Sequence, residues 1–168
     1  MSRIVPDNAS LVPEDATCVF KGILFSVYQW PQRLFDGTTT TFERLKRPDT
    51  VLIVAVKDNK LVFIKEQQPD RSEIVDLPGG RVDEGEDWDA AAVRECAEEL
   101  GLTFKHWRLV GVQQPVSKME WFVATYLATE CISEGATSHD DGEKITSLPM
   151  SFDESKAYIA ANANHFGG

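Results

Sequence analysis

The chain is short of cysteine and of basic side chains. Its three cysteines, Cys18, Cys96 and Cys131, are far apart and form no CxxC pair, which argues against a zinc site and a disulfide framework. A reducing, cytoplasmic location is therefore the simpler expectation. Lys and Arg number 17 against 27 Asp and Glu, so the net charge is −10. Because such a chain repels a phosphate backbone, we expect no nucleic-acid partner, and a small phosphorylated substrate would need metal ions as a bridge.

Long hydrophobic segments are also absent. The longest apolar run, Val51 to Val56, is far too short to span a membrane, so we expect no membrane partner. Residues 1–16 contain no apolar stretch of the kind found in signal peptides. There is no internal repeat and no GxGxxG motif, which argues against a Rossmann fold. The 168 residues suggest one domain with a real hydrophobic core.

Segments rich in β-branched and aromatic residues predict many strands. Cys18–Trp30 is predicted to form one strand that Pro31 interrupts, and Thr38–Arg47 is predicted to return antiparallel to it as a hairpin or long β-ribbon. The run Thr50–Val56 is typical of a central strand buried on both faces. Further strands are predicted over residues 61–67, 74–77, 106–114, 120–129 and 144–150.

Two helices are predicted. One runs from about Asp87 to Leu100 and ends at Gly101, and the second is capped and covers Ser151–Asn162. The order of elements is thus several strands, one helix, more strands and a terminal helix. This order predicts an α+β fold in which a mixed β-sheet lies between helices on its two faces.

The first helix carries an unusual density of carboxylates. At about 100° per residue, Glu95, Glu98 and Glu99 share one narrow face. Like charges at these spacings destabilise a helix, and a negative charge near its C-terminus is disfavoured by the helix dipole. Mg²⁺ or Mn²⁺ would compensate for both effects, because these ions prefer carboxylate oxygens. From the helix alone, a solvated acidic face is an equally good interpretation.

The residues around this helix resemble the Nudix box, GX5EX7REUXEEXGU, in which U is a bulky aliphatic residue. Gly80 is followed after five residues by Glu86, and after seven more by RECAEELGL, residues 94–102. Every fixed polar and glycine position is present. The departure is Cys96 at an aliphatic position, which concerns packing more than chemistry because cysteine behaves as a small hydrophobe. The chain is therefore similar to Nudix hydrolases.

This resemblance implies an α/β/α sandwich and hydrolysis of a nucleoside diphosphate linked to another moiety. It implies Mg²⁺ or Mn²⁺ as cofactor, with Glu98 and Glu99 as catalytic residues. The implied metal ligands are Glu95, Glu98, Glu99 and the backbone carbonyl of Gly79 or Gly80. The resemblance also implies structural roles for Gly80, Glu86 and Arg94. Glu86 and Arg94 are expected to form an ion pair that orients the loop on the helix, with contact to the ligand as the alternative.

The sequence upstream resembles the ADP-ribose pyrophosphatase branch of the family. A strand that ends in Glu66-Gln67 precedes a loop and VDLPGGRVDEGE, as in that branch. The resemblance implies that residues 1–47 form a strand extension that mediates homodimerisation and that residues 48–168 form the Nudix core. ADP-ribose or a related nucleotide sugar is the implied substrate. The chain departs from the branch at Gly79, where alanine is usual, and at Gln68, because no arginine directly follows Gln67.

Two alternatives follow from these departures. The first is hydrolysis of nucleoside triphosphates or dinucleoside polyphosphates. The second is a non-catalytic module that senses a nucleotide, which is disfavoured because such modules usually lose carboxylates of the box.

Substrate contacts are expected from arginine and aromatic side chains. Candidates for phosphate or sugar binding are Arg81, Arg47 and Arg71, each of which is equally well interpreted as a solvated charge. Tyr28, Phe35 and Trp121 are candidates for stacking on a base, and their alternative is sheet or dimer core. By resemblance, a loop acid before the last strand acts as general base. Glu143 matches that position, with Asp140 and Asp141 beside it, and the alternative is a solvated acidic loop.

Overall fold

A computed structural model of the chain describes residues 3–139 and 141–163. Within this part of the chain there are eleven strands and two helices. The strands are β1 (Thr17–Lys21), β2 (Ser26–Arg33), β3 (Thr39–Lys46), β4 (Thr50–Lys57), β5 (Lys60–Gln67), β6 (Ile74–Asp76), β7 (Gly79–Arg81), β8 (Leu102–Gln113), β9 (Met119–Glu120), β10 (Val123–Glu134) and β11 (Lys144–Ser151). The helices are α1 (Trp88–Leu100) and α2 (Phe152–Ala161).

The strands form two sheets. The core sheet has the order β11-β5-β4-β10-β8, and the short strands β6 and β7 pair with β5 and β4. It is mixed, because β10 runs parallel to β4 and the other pairs are antiparallel. The N-terminal sheet has the order β1-β2-β3-β9, in which β9 joins β3 in parallel. Strand β9 thus ties the N-terminal sheet to the rest of the chain.

The prediction of a single strand over Cys18–Trp30 is wrong. The segment folds back on itself, and β1 pairs antiparallel with β2 through partners such as Lys21 and Ser26. The Gly22 N–H donates to the Phe25 carbonyl at 2.8 Å and closes the turn. The sequence pattern predicts a strand here because the turn consists of aliphatic and aromatic residues, and Gly22 is its only residue that is common in turns.

The expected interruption at Pro31 is also wrong, since β2 runs on to Arg33 and pairs Pro31 with Thr41 of β3. Strand β1 pairs with β2 only as far as Gln29. Proline lacks a backbone N–H, and it is tolerated here because one side of β2 has no partner strand from that point on.

The two helices cover opposite faces of the core sheet. Val62 and Ile64 of β5 belong to the same buried cluster as Ala91 and Cys96 of α1. Phe63 alternates with them and meets the Tyr158 ring of α2, with centroids 6.5 Å apart. Because successive strand residues point to opposite faces, α1 and α2 lie on opposite sides. The predicted α+β fold with a mixed sheet between helices is confirmed.

Strand β4 is central but unevenly buried. Val51, Ile53 and Ala55 are completely buried against α1, whereas Leu52 and Val54 are only half-buried. The expectation of full burial on both faces therefore holds for one face. The short helix α2 covers β5 and β11 and leaves part of the second face of β4 open.

Both predicted helices are present, with caps that match their sequences. Asp87 caps α1 through a bond from the Ala90 N–H, and Gly101 ends it with φ of +65°. Ser151 and Glu154 form a reciprocal capping box on α2. In the described part of the chain, no helix has the length and apolar character needed to cross a membrane.

Candidate active site

A cleft with a volume of about 790 Å³ lies between α1, β7 and the adjoining ends of β5 and β11. Its walls are formed mainly by charged side chains. Residues predicted as site residues that line it are Arg47, Arg71, Gly79, Gly80, Arg81, Arg94, Glu95, Glu98, Glu99 and Glu143. Residues that the sequence did not single out for a site are Thr50, Glu66, Gln68, Ser138 and His139.

The two glycines of the Pro-Gly-Gly turn bring β7 close to both its neighbours. Gly79 has φ of +150°, and a Cβ there would lie 2.1 Å from the Val51 carbonyl oxygen of β4. At Gly80, a Cβ would lie 2.5 Å from a carboxylate oxygen of Glu95. Gly79 is thus required by the backbone of β4, whereas a side chain at Gly80 would displace the carboxylate of Glu95.

Arg94 is the centre of the ionic network in the cleft. It donates to both carboxylate oxygens of Glu86, from Nε at 3.0 Å and from Nη2 at 2.9 Å, so the expected ion pair is present. Nη1 also donates to Glu95 at 2.8 Å and to Glu98 at 2.9 Å, and Nη2 to the Arg81 carbonyl. The hydrogen bonds with Glu86, followed by those with Glu95 and Glu98, raise the Arg94 pKa. Arg94 therefore stays charged and holds the turn on the helix.

Glu99 is the most buried carboxylate of the three on the helix face, with 8% of the residue exposed. One of its oxygens accepts from the Gly79 N–H at 2.7 Å. Burial raises its pKa to about 8, and the negative charges of Glu95, Glu143 and Glu66 add to the effect. This direction shows that negative charge at Glu99 is not balanced by the protein itself.

The donor set of this cleft fits a hard divalent cation. Glu95, Glu98 and Glu99 supply carboxylate oxygens beside the Gly79–Gly80 backbone, and an added positive charge would relieve the unbalanced charge at Glu99. Among the residues described, no three His, Cys, Asp or Glu side chains are gathered as a ready metal cluster. The carboxylates are held by other partners, since Arg94 donates to Glu95 and Glu98 and the Gly79 N–H donates to Glu99.

A second network lies at the end of β5. The Gln68 side-chain amide donates to Glu66 at 2.6 Å and to Glu143 at 3.0 Å. Arg71 forms an ion pair with the same Glu66 oxygen at 2.6 Å. The Glu66 and Gln68 roles were missed by sequence reasoning. The signal that finds them is strand register, since the pairing of Gln67 with Lys144 puts Gln68 opposite Glu143.

The segment before Glu143 is attached to the end of α1. The Gly135 N–H donates to the Gly101 carbonyl at 2.7 Å, and the Ser138 N–H to the Glu98 carbonyl at 2.8 Å. His139 Nε2 lies 3.4 Å from the Glu99 carbonyl. Carbonyl groups at the C-terminal end of a helix lack hydrogen-bond donors within the helix, and the N–H groups of this segment serve as their donors.

Arg47, Arg81 and Trp121 form a basic and aromatic part of the cleft wall. The Arg47 guanidinium lies 4.7 Å from the centroid of the Trp121 ring and 5.8 Å from that of Phe25. Its pKa is lowered, first by burial and then by the nearby charge of Arg81. The Trp121 indole N–H donates to Thr50 at 3.0 Å.

Two of the residues predicted to stack on a base, Tyr28 and Phe35, do not line the cleft of their own chain. Phe35 is fully exposed in the turn between β2 and β3. Tyr28 lies in the N-terminal sheet, where the Lys46 ammonium group is 6.0 Å from its ring centroid. Asp141 lines a neighbouring pocket with Glu143, and Asp140 lies outside the described residues.

The chain matches the NUDIX domain family over residues 46–166. It belongs to the Nudix family. A solved structure titled as an ADP compounds hydrolase superposes with a TM-score of 0.71 at 21% identity, covering 88% of this chain and 81% of that one. At this identity the superposition supports the Nudix fold, in agreement with the mixed sheet and two helices described above.

One of the curated relatives that the chain resembles is an ADP-ribose pyrophosphatase, which is the predicted branch. A methanol dehydrogenase activator of Bacillus methanolicus is 27% identical over 148 residues, which are 84% of this chain and 78% of the activator. An ADP-ribose pyrophosphatase of Bacillus subtilis is 33% identical over 89 residues, which are 52% of this chain and 48% of that protein. An RNA pyrophosphohydrolase of Sphingopyxis alaskensis is 39% identical over 56 residues, which are 33% of this chain and 35% of that protein. The predictions of a Nudix pyrophosphohydrolase and of its similarity to the ADP-ribose pyrophosphatase branch are confirmed.

Proposed function

We propose that this Nudix protein hydrolyses the pyrophosphate bond of a nucleoside diphosphate linked to a sugar, with ADP-ribose as the leading candidate. The products would be a nucleoside monophosphate and a sugar phosphate, AMP and ribose 5-phosphate for ADP-ribose. The observation that carries the proposal is the carboxylate face of Glu95, Glu98 and Glu99 beside the Gly79–Gly80 turn in one charged cleft. The similarity to a Bacillus subtilis ADP-ribose pyrophosphatase supports the choice of substrate.

We propose Mg²⁺ or Mn²⁺ as the cofactor of this site. Glu95, Glu98, Glu99 and the Gly79 carbonyl would hold it. When bound, such an ion neutralises charge on the pyrophosphate and lowers the pKa of a coordinated water. The ion would also relieve the unbalanced charge at Glu99, whose pKa is raised in its absence.

The side chains of the cleft have separate tasks in this proposal. Glu143 accepts the proton of the attacking water as general base. Arg81, Arg47 and Arg71 bind the phosphate and sugar groups of the substrate. Arg94 and Glu86 keep the glycine turn against the helix, as their bidentate pair indicates. No covalent intermediate on the protein is required, because water attacks one phosphorus and the other phosphate leaves with the sugar.

We also propose a homodimer formed through residues 1–47, with residues 48–168 as the hydrolase core. Exposed apolar side chains in the N-terminal sheet and the turns between its strands support this proposal, since exposed apolar patches mark interfaces. They are Val19, Phe20, Ile23, Phe25, Leu34, Phe35, Phe42 and Leu45. In such a dimer, Tyr28 and Phe35 of one subunit would contribute to the cleft of the other.

A second candidate is hydrolysis of nucleoside triphosphates or dinucleoside polyphosphates. The Pro-Gly-Gly turn and the absence of an arginine after Gln67 favour it. Retention of all the box carboxylates argues against the third candidate, a non-catalytic nucleotide sensor. The cytoplasmic location stays a prediction, and the three cysteines are free thiols.

The decisive experiment is a substrate panel with products identified. Nucleotide sugars, nucleoside triphosphates and dinucleoside polyphosphates are each incubated with the wild-type chain and Mg²⁺ or Mn²⁺. We expect ADP-ribose to be cleaved to AMP and ribose 5-phosphate. Glu98→Gln and Glu99→Gln should lower kcat by at least about 100-fold while the fold survives, because each removes a charged ligand of the metal.

Three results would overturn parts of this proposal. Full activity of both variants would refute the assigned metal ligands. Preference for triphosphates would select the second candidate, and stabilisation by nucleotides without hydrolysis across the panel would select the sensor.

A further inference from the structure

The Gln68 side chain joins two carboxylates on opposite strands. Its amide nitrogen lies 2.6 Å from a Glu66 oxygen and 3.0 Å from a Glu143 oxygen. A primary amide has two N–H donors and can satisfy two acceptors at once. Without a donor between them, the carboxylates of Glu66 and Glu143 would repel each other, and this repulsion would favour rotation of the Glu143 side chain away from Glu66.

Backbone register places Gln68 and Glu143 opposite each other. Strands β5 and β11 pair antiparallel over eight residue pairs, from Lys144 with Gln67 to Ser151 with Lys60. Gln68 and Glu143 are the next residues outward on each strand. The pairing of the two strands therefore brings these side chains together in the cleft, although the residues are far apart in sequence.

Arg71 removes the need for Gln68 to balance the charge of Glu66. Its guanidinium contacts the same Glu66 oxygen at 2.6 Å, and the Glu66 side chain is only 13% exposed. Glu66 is thereby held in place, and it serves as the fixed end of the bridge. The amide then connects this anchored carboxylate to Glu143, the acid that directly precedes β11.

We propose that Gln68 is a positioning residue, which orients Glu143 for proton abstraction by bridging it to the Arg71-anchored Glu66. The inference rests on the proposed function, in which Glu143 is the general base. Gln68 is not required to touch the substrate. Its effect should therefore appear in kcat and depend on the presence of the Glu143 carboxylate.

The test compares Gln68→Leu with Gln67→Leu in the full-length chain. Gln67 is the matched control, because it is the exposed neighbour on the same strand and has no hydrogen bond to Glu143 among the described contacts. With ADP-ribose and Mg²⁺, Gln68→Leu should lower kcat about tenfold or more and change KM less than about threefold. Gln67→Leu should leave both constants within about twofold. Melting temperatures of all variants are measured to separate folding from catalysis.

A double-mutant cycle distinguishes a positioning role of Gln68 from a purely structural one, because only the positioning role depends on the Glu143 carboxylate. In a Glu143→Ala background, Gln68→Leu should cause no further loss of kcat, because its only proposed target is gone. Gln68→Glu keeps the size of the side chain but replaces the donors with a third carboxylate, and it should lose at least as much activity as Gln68→Leu.

Each result decides the inference. Equal activity of Gln68→Leu and Gln67→Leu would overturn it, as would a full additional loss in the Glu143→Ala background, which would mean direct action on the substrate. Retention of activity in Gln68→Glu would overturn it as well. Failure of the proposed function is distinguishable, because the wild-type chain would then leave ADP-ribose uncleaved.

Discussion

At the scale of single residues, the carboxylates of α1 are not equivalent. Glu98 is the most exposed, with 41% of its side chain accessible, and it shares Arg94 with Glu95. Glu99 lies in the buried face of the helix, and its carboxylate accepts a hydrogen bond from the Gly79 N–H. Helical spacing predicted that the three share one face, but it could not predict which of them loses contact with water.

This burial predicts how the stability of the metal-free chain depends on pH. The pKa of Glu99 is about 8 in the folded chain and near 4.3 when unfolded, so the folded state holds its proton over the interval between them. The free energy of unfolding should therefore fall as pH rises from about 4.5 to 8, by the order of a few kcal/mol. Chemical denaturation in the presence of a chelator measures this slope.

Glu99→Gln is the control for this prediction, because glutamine keeps the shape and cannot titrate. Its slope over the same interval should be clearly smaller than that of the wild-type chain. The pKa of Glu95 is raised too, mainly by burial, so some dependence should persist in the variant. Equal slopes in both chains would contradict the assignment to Glu99.

At the scale of secondary-structure elements, the sequence predicted positions better than connections. Helix start and stop signals placed α1 between Asp87 and Gly101, and the caps confirm these limits. The turn at Gly22–Phe25 was missed, because residues 23–25 are apolar and side-chain patterns dominate the prediction. The attachment of residues 135–139 to α1 was missed because it depends on backbone atoms, which carry no sequence signature.

The packing of β7 against β4 and α1 predicts different outcomes at adjacent glycines. Gly80→Ala would direct a methyl group at the flexible end of Glu95, which can move aside, so stability should change by less than about 1 kcal/mol. Displacement of the Glu95 carboxylate should lower kcat and raise the Mg²⁺ concentration required. Gly79→Ala would meet the backbone of β4 instead, and we expect it to destabilise the fold by about 3 kcal/mol or more.

Gly111→Ala is the matched control for both variants, because a Cβ at Gly111 of β8 would meet nothing within 4 Å. Denaturation curves and Mg²⁺ titrations of the initial rate distinguish the three variants. An unchanged Mg²⁺ requirement in Gly80→Ala would show that the position of Glu95 does not matter for metal binding.

At the scale of the whole molecule, the chain consists of a buried core sheet and an N-terminal sheet with an apolar surface. The sequence did predict an exposed apolar surface in this region, because an aromatic strand such as Phe20–Trp30 is typical of an interface. What the sequence could not predict is the parallel pairing of β9 with β3, which adds Met119 and Glu120 to the N-terminal sheet. The two sheets are also joined by Arg3, which binds Asp49 and Glu120.

The apolar surface of the N-terminal sheet predicts a dimer in solution. Size-exclusion chromatography with light scattering should give twice the chain mass of 18.8 kDa. Phe20→Glu should shift the chain toward monomer, because it replaces an exposed aromatic side chain on the edge strand β1 with a charge. Ile132→Glu is the matched control, since Ile132 is 62% exposed on β10 of the core sheet, and it should remain dimeric. A monomeric wild-type chain at all concentrations would refute the dimer.

The hydrogen bonds that attach residues 135–139 to the end of α1 do not involve the side chains of the two residues in the middle of this segment. Gly135 and Ser138 bond through main-chain nitrogen atoms, and the side chains of Ala136 and Thr137 between them are exposed. A spectroscopic label can therefore be attached at Ala136 or Thr137 without disturbing these bonds. Because Ser138 lines the cleft, a label at Thr137, one residue away, would report events there, once the exposed thiol of Cys18 and the half-buried thiol of Cys131 have been replaced.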